Sequence, residues 1–120
     1  MAKRIRDNAV DERDFFGDVM DVVRKIPRGR VTSYGAIAKY LGAARSARIV
    51  GYCMNGSHVV RPKVPAHRVV NSAGLLTGKH HFATPTQMAE LLKKEGVKVK
   101  KDEVVDFAKM FWDPMRELEL

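Results

Sequence analysis

The sequence predicts a single domain of 120 residues whose class is mainly α-helical or α/β. Apolar residues recur at helical spacing in several segments, and one proline-containing stretch of β-branched residues indicates extended chain with a short strand. No linker, internal repeat or low-complexity tract divides the chain. With 45% apolar and 30% charged residues, the composition is that of a folded globular domain with a modest core, and it argues against disorder.

The first predicted helix is identified by its apolar spacing and by its end. Apolar residues recur at i, i+4, i+7 and i+11, namely Phe15, Val19, Val22 and Ile26. Pro27 ends the helix because it cannot continue the backbone hydrogen bonding. Residues 1–10 are expected to form a flexible basic tail.

Two short helices with a tight break between them follow. Thr32 or Ser33 can cap the first, whose apolar side comprises Tyr34, Ile37, Ala38 and Leu41. The second is predicted over residues 45–55, with Ile49 and Cys53 on its apolar face. Cys53 is therefore interpreted as a small buried hydrophobe rather than a nucleophile. The pair predicts a helix-turn-helix.

The remaining elements are read from turn and cap residues. Extended chain with a short strand is predicted over 59–70, and a turn follows over 71–74. A third helix is predicted to begin with Thr84 as its cap and to end at Gly96. Residues 97–99 are a possible strand. Aromatic residues near the C-terminus are expected to fold back onto the core. Residues 113–120 are expected to form a flexible tail.

The distribution of charge is uneven. The net charge is +8, and between Val22 and Ala89 there are eleven Lys and Arg, all four His, and no Asp or Glu. A carboxylate-free stretch of this length predicts a surface that meets the phosphates of a nucleic acid. A solvated basic face is the alternative.

Several classes of protein are disfavoured. There is no apolar run long enough to span a membrane and no visible secretory signal, so a cytoplasmic protein is the simplest interpretation. The single cysteine excludes an intramolecular disulfide. A metal site built from Cys53 and the four histidines, His58, His67, His80 and His81, would match no standard zinc spacing, so neither a metal nor another cofactor is expected.

One face of the second helix of the pair carries DNA-binding residue types. Arg45, Arg48, Tyr52 and Asn55 recur at i, i+3, i+7 and i+10. Arginine contacts phosphates, and arginine and asparagine can reach base edges, so this stripe is the predicted DNA-binding face.

The segment Pro65-Ala66-His67-Arg68-Val69 resembles the active-site motif of the O6-alkylguanine-DNA alkyltransferases, Pro-Cys-His-Arg-Val. The resemblance extends from Phe15 to Gly96 and includes Ile26-Pro27-Arg28-Gly29-Arg30-Val31-Thr32-Ser33-Tyr34-Gly35, Arg45-Ser46-Ala47-Arg48-Ile49-Val50-Gly51, Asn71-Ser72-Ala73-Gly74 and Leu91-Leu92-Lys93-Lys94-Glu95-Gly96. It implies the fold of the C-terminal DNA-binding domain of these enzymes, mainly α with a small β element and a helix-turn-helix.

The motif departs from that family at the nucleophile. Ala66 stands at the cysteine position, and a methyl group cannot accept an alkyl group. The chain thus looks like the alkyltransferase-like proteins, which are not enzymes. The resemblance implies a monomer that binds O6-alkylguanine in double-stranded DNA through the minor groove, flips the base into a pocket without repairing it, and recruits nucleotide excision repair proteins.

The resemblance also assigns roles to individual residues. Arg48 matches the arginine finger that fills the gap left by the flipped base, and Tyr34 matches the tyrosine that turns the 3′ phosphate. The implied lesion pocket comprises Tyr34, Ala66, Val69 and Lys79. His67 and Glu95 match the pair that activates the cysteine and are expected to remain as a buried hydrogen-bond network. An alternative is a helix-turn-helix transcription regulator with a vestigial pocket.

Overall fold

A computed structural model describes residues 12–42 and 47–118, with side chains from Phe15 onward. The α-helices are α1 (Glu12–Lys25), α2 (Tyr34–Tyr40), α3 (Ala47–Asn55), α4 (Gln87–Lys94), α5 (Phe107–Met110) and α6 (Pro114–Glu117). The strands are β1 (Thr32–Ser33), β2 (Val69–Val70), β3 (Val99–Lys100) and β4 (Glu103–Val104). Short 3₁₀ turns occupy Ser57–Val59, Ala66–Arg68 and Lys79–His81. The described residues are thus mainly helical with little sheet, as expected.

The first two helices form where the apolar spacing predicts them. On α1, Val19, Val22 and Ile26 are buried, and Ile37 and Leu41 are buried at α2. Ser33 caps α2, because its Oγ accepts a hydrogen bond from the Ala36 amide at 3.0 Å. Helices α2 and α3 pack against each other, as a helix-turn-helix requires.

The apolar face of α3 differs from the prediction. Val50 and Met54, four residues apart, form the buried stripe, whereas Ile49 is 47% exposed. Cys53 is half-buried and packs against the core. The prediction for Ile49 is wrong because one residue along a helix turns the side chain by about 100°, and contact with α1 and α2 sets which stripe is covered.

The described residues form two small two-stranded sheets, of which the first joins distant parts of the chain. Strands β1 and β2 are parallel, with Thr32 opposite Val69, while β3 and β4 form an antiparallel hairpin. The sequence predicts a possible strand over 97–99, and in the structure β3 spans Val99–Lys100. The core lies in two buried clusters, one around α1, α2 and α3 and one around β2 and α4, and the half-buried Phe82 packs against both.

The start of α4 also differs from expectation. The helix begins at Gln87 rather than at Pro85, so its N-cap position is Thr86 and not Thr84. Gln87 Oε1 accepts a hydrogen bond from the Ala83 amide at 2.9 Å. Gly96 ends the helical segment with a φ of +88°, a conformation that favours glycine, as predicted.

The C-terminal segment contains two short helices that the sequence does not predict, α5 (Phe107–Met110) and α6 (Pro114–Glu117). Trp112 is buried in the first cluster, and Pro114, also buried, begins α6 with Asp113 as its cap. The sequence predicts a flexible tail over 113–120, and within that range the structure has the short helix α6, Pro114–Glu117. The expected N-terminal tail, residues 1–10, lies outside the described residues. Within the described ranges no helix is both long and apolar enough to cross a bilayer.

Candidate nucleic-acid interface and adjoining cavity

A cavity lies where α2, α3 and the motif segment meet. Its described lining combines apolar side chains with a tyrosine, an amide and two imidazoles: Tyr34, Met54, Asn55, His58, Ala66, Val69, Gly78, His81, Phe82 and Met88. The sequence predicted Tyr34, Ala66 and Val69 among these. The others were missed because they come from the end of α3, the loop before α4 and α4 itself, which only tertiary packing brings together. Asn55 was predicted, but as a residue of the DNA-binding face.

The cavity is small in this structure, about 10 Å³, which is room for about one water molecule. Tyr34 and Gly78 approach closely across it. A Cβ atom built on Gly78 would lie 2.9 Å from the Tyr34 hydroxyl oxygen. Glycine at this position therefore permits the contact that narrows the cavity.

Lys79 does not line the cavity, contrary to the prediction. Its Nζ donates to Asp102 Oδ2 at 2.5 Å, and Asp102 belongs to the turn between β3 and β4. The ion pair directs the ammonium group to the C-terminal hairpin. Sequence reasoning could not anticipate this partner because Asp102 lies outside the segment that resembles the family.

Glu95 is the centre of a network behind the cavity. Its carboxylate accepts hydrogen bonds from the Gly29 amide at 3.0 Å, from His67 Nε2 at 2.7 Å and from Arg68 Nη2 at 2.7 Å. Arg68 also donates to the Ile26 carbonyl oxygen at 2.8 Å. The side chain of Glu95 is only 5% exposed. The predicted pairing of His67 with Glu95 is present, and the carboxylate also holds the turn after α1.

The network perturbs the pKa values of its members. Burial alone would raise the pKa of Glu95, but the hydrogen bonds from Arg68, Gly29 and His67 outweigh it and lower the pKa to about 2. Burial lowers the pKa of His67 and outweighs the opposing effect of Glu95. His67 is therefore neutral near pH 7, with Nε2–H donating to an ionised Glu95 and Nδ1 left as an acceptor.

The predicted DNA-binding stripe lies on the solvent side of α3. Arg48 and Asn55 are exposed, and Tyr52 is 62% exposed. Arg45 lies outside the described residues. Asn55 also lines the cavity, so this face and the cavity adjoin at the C-terminal end of α3.

The histidines do not gather into a metal site. Within the described chain no three His, Cys, Asp or Glu side chains are placed to hold a metal ion. His58 instead packs edge-on against Phe82, with ring centroids 4.6 Å apart. Burial, followed by the positive charges of His81 and Lys63, lowers the pKa of His58.

Comparison with known proteins agrees with this architecture. Alkyltransferase-like protein 1 of Schizosaccharomyces pombe is 38% identical over 86 residues, which are 72% of this chain and 79% of that protein. A crystal structure of S. pombe Atl1 in complex with damaged DNA containing O6-carboxymethylguanine superposes with a TM-score of 0.76 at 33% identity, covering 88% of this chain and 100% of that one. The methylated-DNA–protein-cysteine methyltransferase of Shigella flexneri is 41% identical over 83 residues, 68% of this chain but only 46% of that enzyme.

The fold and the site together place the protein in a class of small helical domains in which a DNA-binding helix pair lies beside a pocket. The model of the family described as the 6-O-methylguanine DNA methyltransferase, DNA binding domain, matches residues 14–97. This chain belongs to that family. The match of the family model ends before β3, whereas the superposition on S. pombe Atl1 covers 88% of this chain and therefore extends beyond residues 14–97.

Proposed function

We propose that this protein is a non-enzymatic sensor of O6-alkylguanine in double-stranded DNA. It binds through the minor groove, extrudes the damaged base into the cavity at Ala66 without removing the alkyl group, and marks the site for nucleotide excision repair proteins. Its similarity to a protein crystallised with DNA containing O6-carboxymethylguanine supports lesion binding.

The observation that carries the proposal is the combination of Ala66 with its neighbours. Ala66 lines the cavity directly before His67, which is hydrogen-bonded to Glu95 at 2.7 Å. An imidazole oriented by a carboxylate is the arrangement that activates a nucleophile, yet the methyl group of Ala66 has no lone pair to attack an alkyl carbon. A pocket of this kind can hold the base but cannot complete the transfer.

The cavity must enlarge to accept a purine, since its present volume fits about one water. Met54 and Met88 line it, and methionine side chains are flexible enough to vacate space at low cost. The contact between Tyr34 and Gly78 would have to part as well. We therefore expect the pocket to open as the base enters, with DNA-binding energy offsetting the few kcal/mol of lost stacking and pairing.

The exposed stripe on α3 supplies the groups that flipping needs. Arg48 is proposed to enter the duplex, where a planar cation partly replaces the stacking lost by the extruded base. Tyr34, at the start of α2, is proposed to turn the adjoining phosphate. Arg45, Tyr52 and Asn55 are proposed to contact the groove and backbone.

The decisive experiment compares three duplexes of one sequence, carrying guanine, O6-methylguanine or a mismatch, at one stated salt concentration. We expect tighter binding to O6-methylguanine than to either control. DNA labelled on the alkyl group should leave no label on the protein, at Cys53 or elsewhere, after prolonged incubation. A stoichiometric adduct would overturn the non-enzymatic assignment.

The same experiment addresses the transcription-regulator alternative. Binding that ignores the lesion but discriminates among duplex sequences would support a helix-turn-helix regulator with a vestigial pocket. The hand-over to nucleotide excision repair is tested separately: purified damage-recognition proteins of that pathway should form a ternary complex on the lesion duplex only when this protein is present.

A further inference from the structure

Two imidazoles share the cavity with Ala66. His58 follows α3 and His81 ends the 3₁₀ turn of the loop before α4, and both are lining residues. Ala66, His58 and His81 thus line one cavity. A substituent on the O6 atom that fills this cavity would meet His58 and His81 as well as Ala66.

Among the described residues, the charged groups that act on His58 are basic. His81 and Lys63 act on it electrostatically, and Arg61 Nη1 lies 3.5 Å from the His58 carbonyl oxygen. The cavity lining, as far as it is described, includes no Asp or Glu. A proton gained by His58 thus has no carboxylate of the described lining to balance it, and an anionic ligand would supply the missing charge.

We propose that His58 and His81 make the pocket selective for O6 substituents that carry a carboxylate, and that this selectivity strengthens as pH falls. The inference rests on the proposed function, since it names the lesion class favoured by the same pocket. An imidazolium donates a charge-assisted hydrogen bond to a carboxylate, which is about twice as strong as a neutral one. Binding of an acidic adduct therefore takes up a proton.

The state of the free protein suits this response. Burial and the charges of His81 and Lys63 keep the pKa of His58 below its usual value, so its imidazole is largely uncharged near neutral pH. The cavity can then accept neutral substituents against Met54, Val69 and Phe82 without a buried cation. A carboxylate that enters the cavity raises the pKa of His58, because it favours the protonated imidazole.

The test uses O6-carboxymethylguanine and its neutral isostere O6-carbamoylmethylguanine in one duplex sequence, with the full chain, at about pH 6 and about pH 8. The quantity measured is the ratio of the two dissociation constants. We expect this ratio to shift about tenfold in favour of the acid between the higher and the lower pH. Using a ratio removes the general gain in DNA affinity that protonation of any surface histidine produces.

Substitution assigns the effect to the two imidazoles. His81→Gln, at an exposed position, and the double variant His58→Gln/His81→Gln should lose most of the pH response. His80→Gln should retain it, because His80 is exposed on the same turn and is not among the described lining residues. Thermal unfolding of each variant checks that the fold is intact, and His81→Gln keeps the test decisive if the double variant does not fold.

The outcomes separate this inference from the proposed function. Preference for both lesions over guanine with a ratio that does not change with pH overturns the inference alone. So does a pH response that survives in His81→Gln and in the folded double variant. Equal affinity for guanine and for both lesions overturns the proposed function and the inference with it. A gain in affinity at low pH that is the same for acid and amide assigns the imidazoles to DNA phosphates instead, and also overturns the inference.

Discussion

At the scale of single residues, Glu95 is the centre of a buried hydrogen-bond network next to Ala66. Its carboxylate neutralises Arg68, orients His67 and caps the Gly29 amide, so its removal would leave several buried groups unpaired at once. Removing one partner of a buried ion pair typically lowers the free energy of unfolding by about 3–5 kcal/mol, because the other charge stays buried without a partner. Structural demand is thus sufficient to explain why Glu95 and His67 accompany Ala66.

Glu95 makes acid stability a direct test of this network. Because the pKa of Glu95 is about 2 in the folded protein against an ordinary value of 4.5, the ionised carboxylate stabilises the fold above the unfolded pKa. That contribution is lost as pH falls through the folded pKa, and the shift corresponds to about 3 kcal/mol. Urea unfolding should show Glu95→Gln less stable near pH 7, with a smaller fall in stability below pH 4.5 than the native chain.

The matched control is Glu90→Gln, an exposed position in the first turn of the same helix. It should alter the free energy of unfolding by less than about 0.5 kcal/mol at either pH. If Glu95→Gln behaved like Glu90→Gln, the buried network would have no stabilising role.

Thr32 presents the opposite case, a buried hydroxyl without a hydrogen-bond partner among the described residues. Thr32→Val replaces that hydroxyl with a methyl group of similar shape. It should raise the free energy of unfolding by about 1 kcal/mol, because an unsatisfied polar atom leaves the core. The adjacent Ser33→Ala should instead lower it by about 1 kcal/mol, since Ser33 caps α2. Equal losses in the two variants, measured by chemical denaturation, would contradict this assignment.

Arg48 is the residue on which the proposed flipping depends. Arg48→Ala should weaken binding to an O6-alkylguanine duplex by about 1–3 kcal/mol, with a smaller loss on undamaged DNA. Lys109→Ala is the matched control, because Lys109 is an exposed cation on α5, outside the family match. The measurement is the affinity of both variants for the lesion duplex, titrated at one salt concentration. Unchanged affinity of Arg48→Ala would contradict the proposal that Arg48 enters the duplex.

At the scale of elements, the sequence predicted what periodicity and caps encode. Helix α1 and the Ser33 cap were found because apolar spacing and a side-chain cap are local properties. The β-branched residues over 59–70 indicated a short strand, and β2 lies at the end of that stretch, but β1 carries no such local signal and exists because it pairs with distant β2. The buried face of α3 was missed for the same reason, because it is decided by contacts with other elements.

The β3–β4 hairpin illustrates such a contact, because it holds the loop that borders the cavity. Leu76 donates its amide to the Asp102 carbonyl at 2.9 Å, and Val104 donates to the Gly74 carbonyl at 2.9 Å. The ion pair of Lys79 with Asp102 adds a side-chain link. An element beyond the residues that the family model matches therefore positions one wall of the site.

Asp102→Asn should loosen this loop without unfolding the domain. The ion pair is partly exposed, so its loss should cost no more than about 1 kcal/mol. Hydrogen exchange of the Lys79 and His81 amides should accelerate by up to about fivefold, while amides of α3 keep their rates. Glu103→Gln, the exposed neighbour in the same hairpin, should change neither set. Acceleration spread equally over α3 and the loop would indicate global destabilisation instead.

At the scale of the whole molecule, the cations of residues 22–89, the segment without Asp or Glu, differ in what they contact. Several of its arginines stabilise the fold: Arg28 donates to the Lys94 carbonyl oxygen, Arg30 to those of Met110 and Phe111, and Arg68 to Glu95. Within the described residues, four exposed cations of the segment make no hydrogen bond or ion pair: Lys25, Lys39, Arg48 and Lys63. The charge available to DNA is accordingly smaller than the eleven cations of the segment suggest.

The salt dependence of DNA binding measures this available charge. If all eleven cations met phosphates, the slope of log K against log salt would be about −10, whereas the four free cations together with Arg45 predict about −4 to −5. The proposed function puts the discrimination between lesion and guanine in the cavity, away from the counterion atmosphere, and it therefore predicts the same slope for both duplexes. Lys63→Gln should reduce its magnitude by about 1 on both duplexes, and Lys109→Ala should leave it unchanged. A slope near −10 would mean that the structural arginines leave their carbonyl partners when DNA binds.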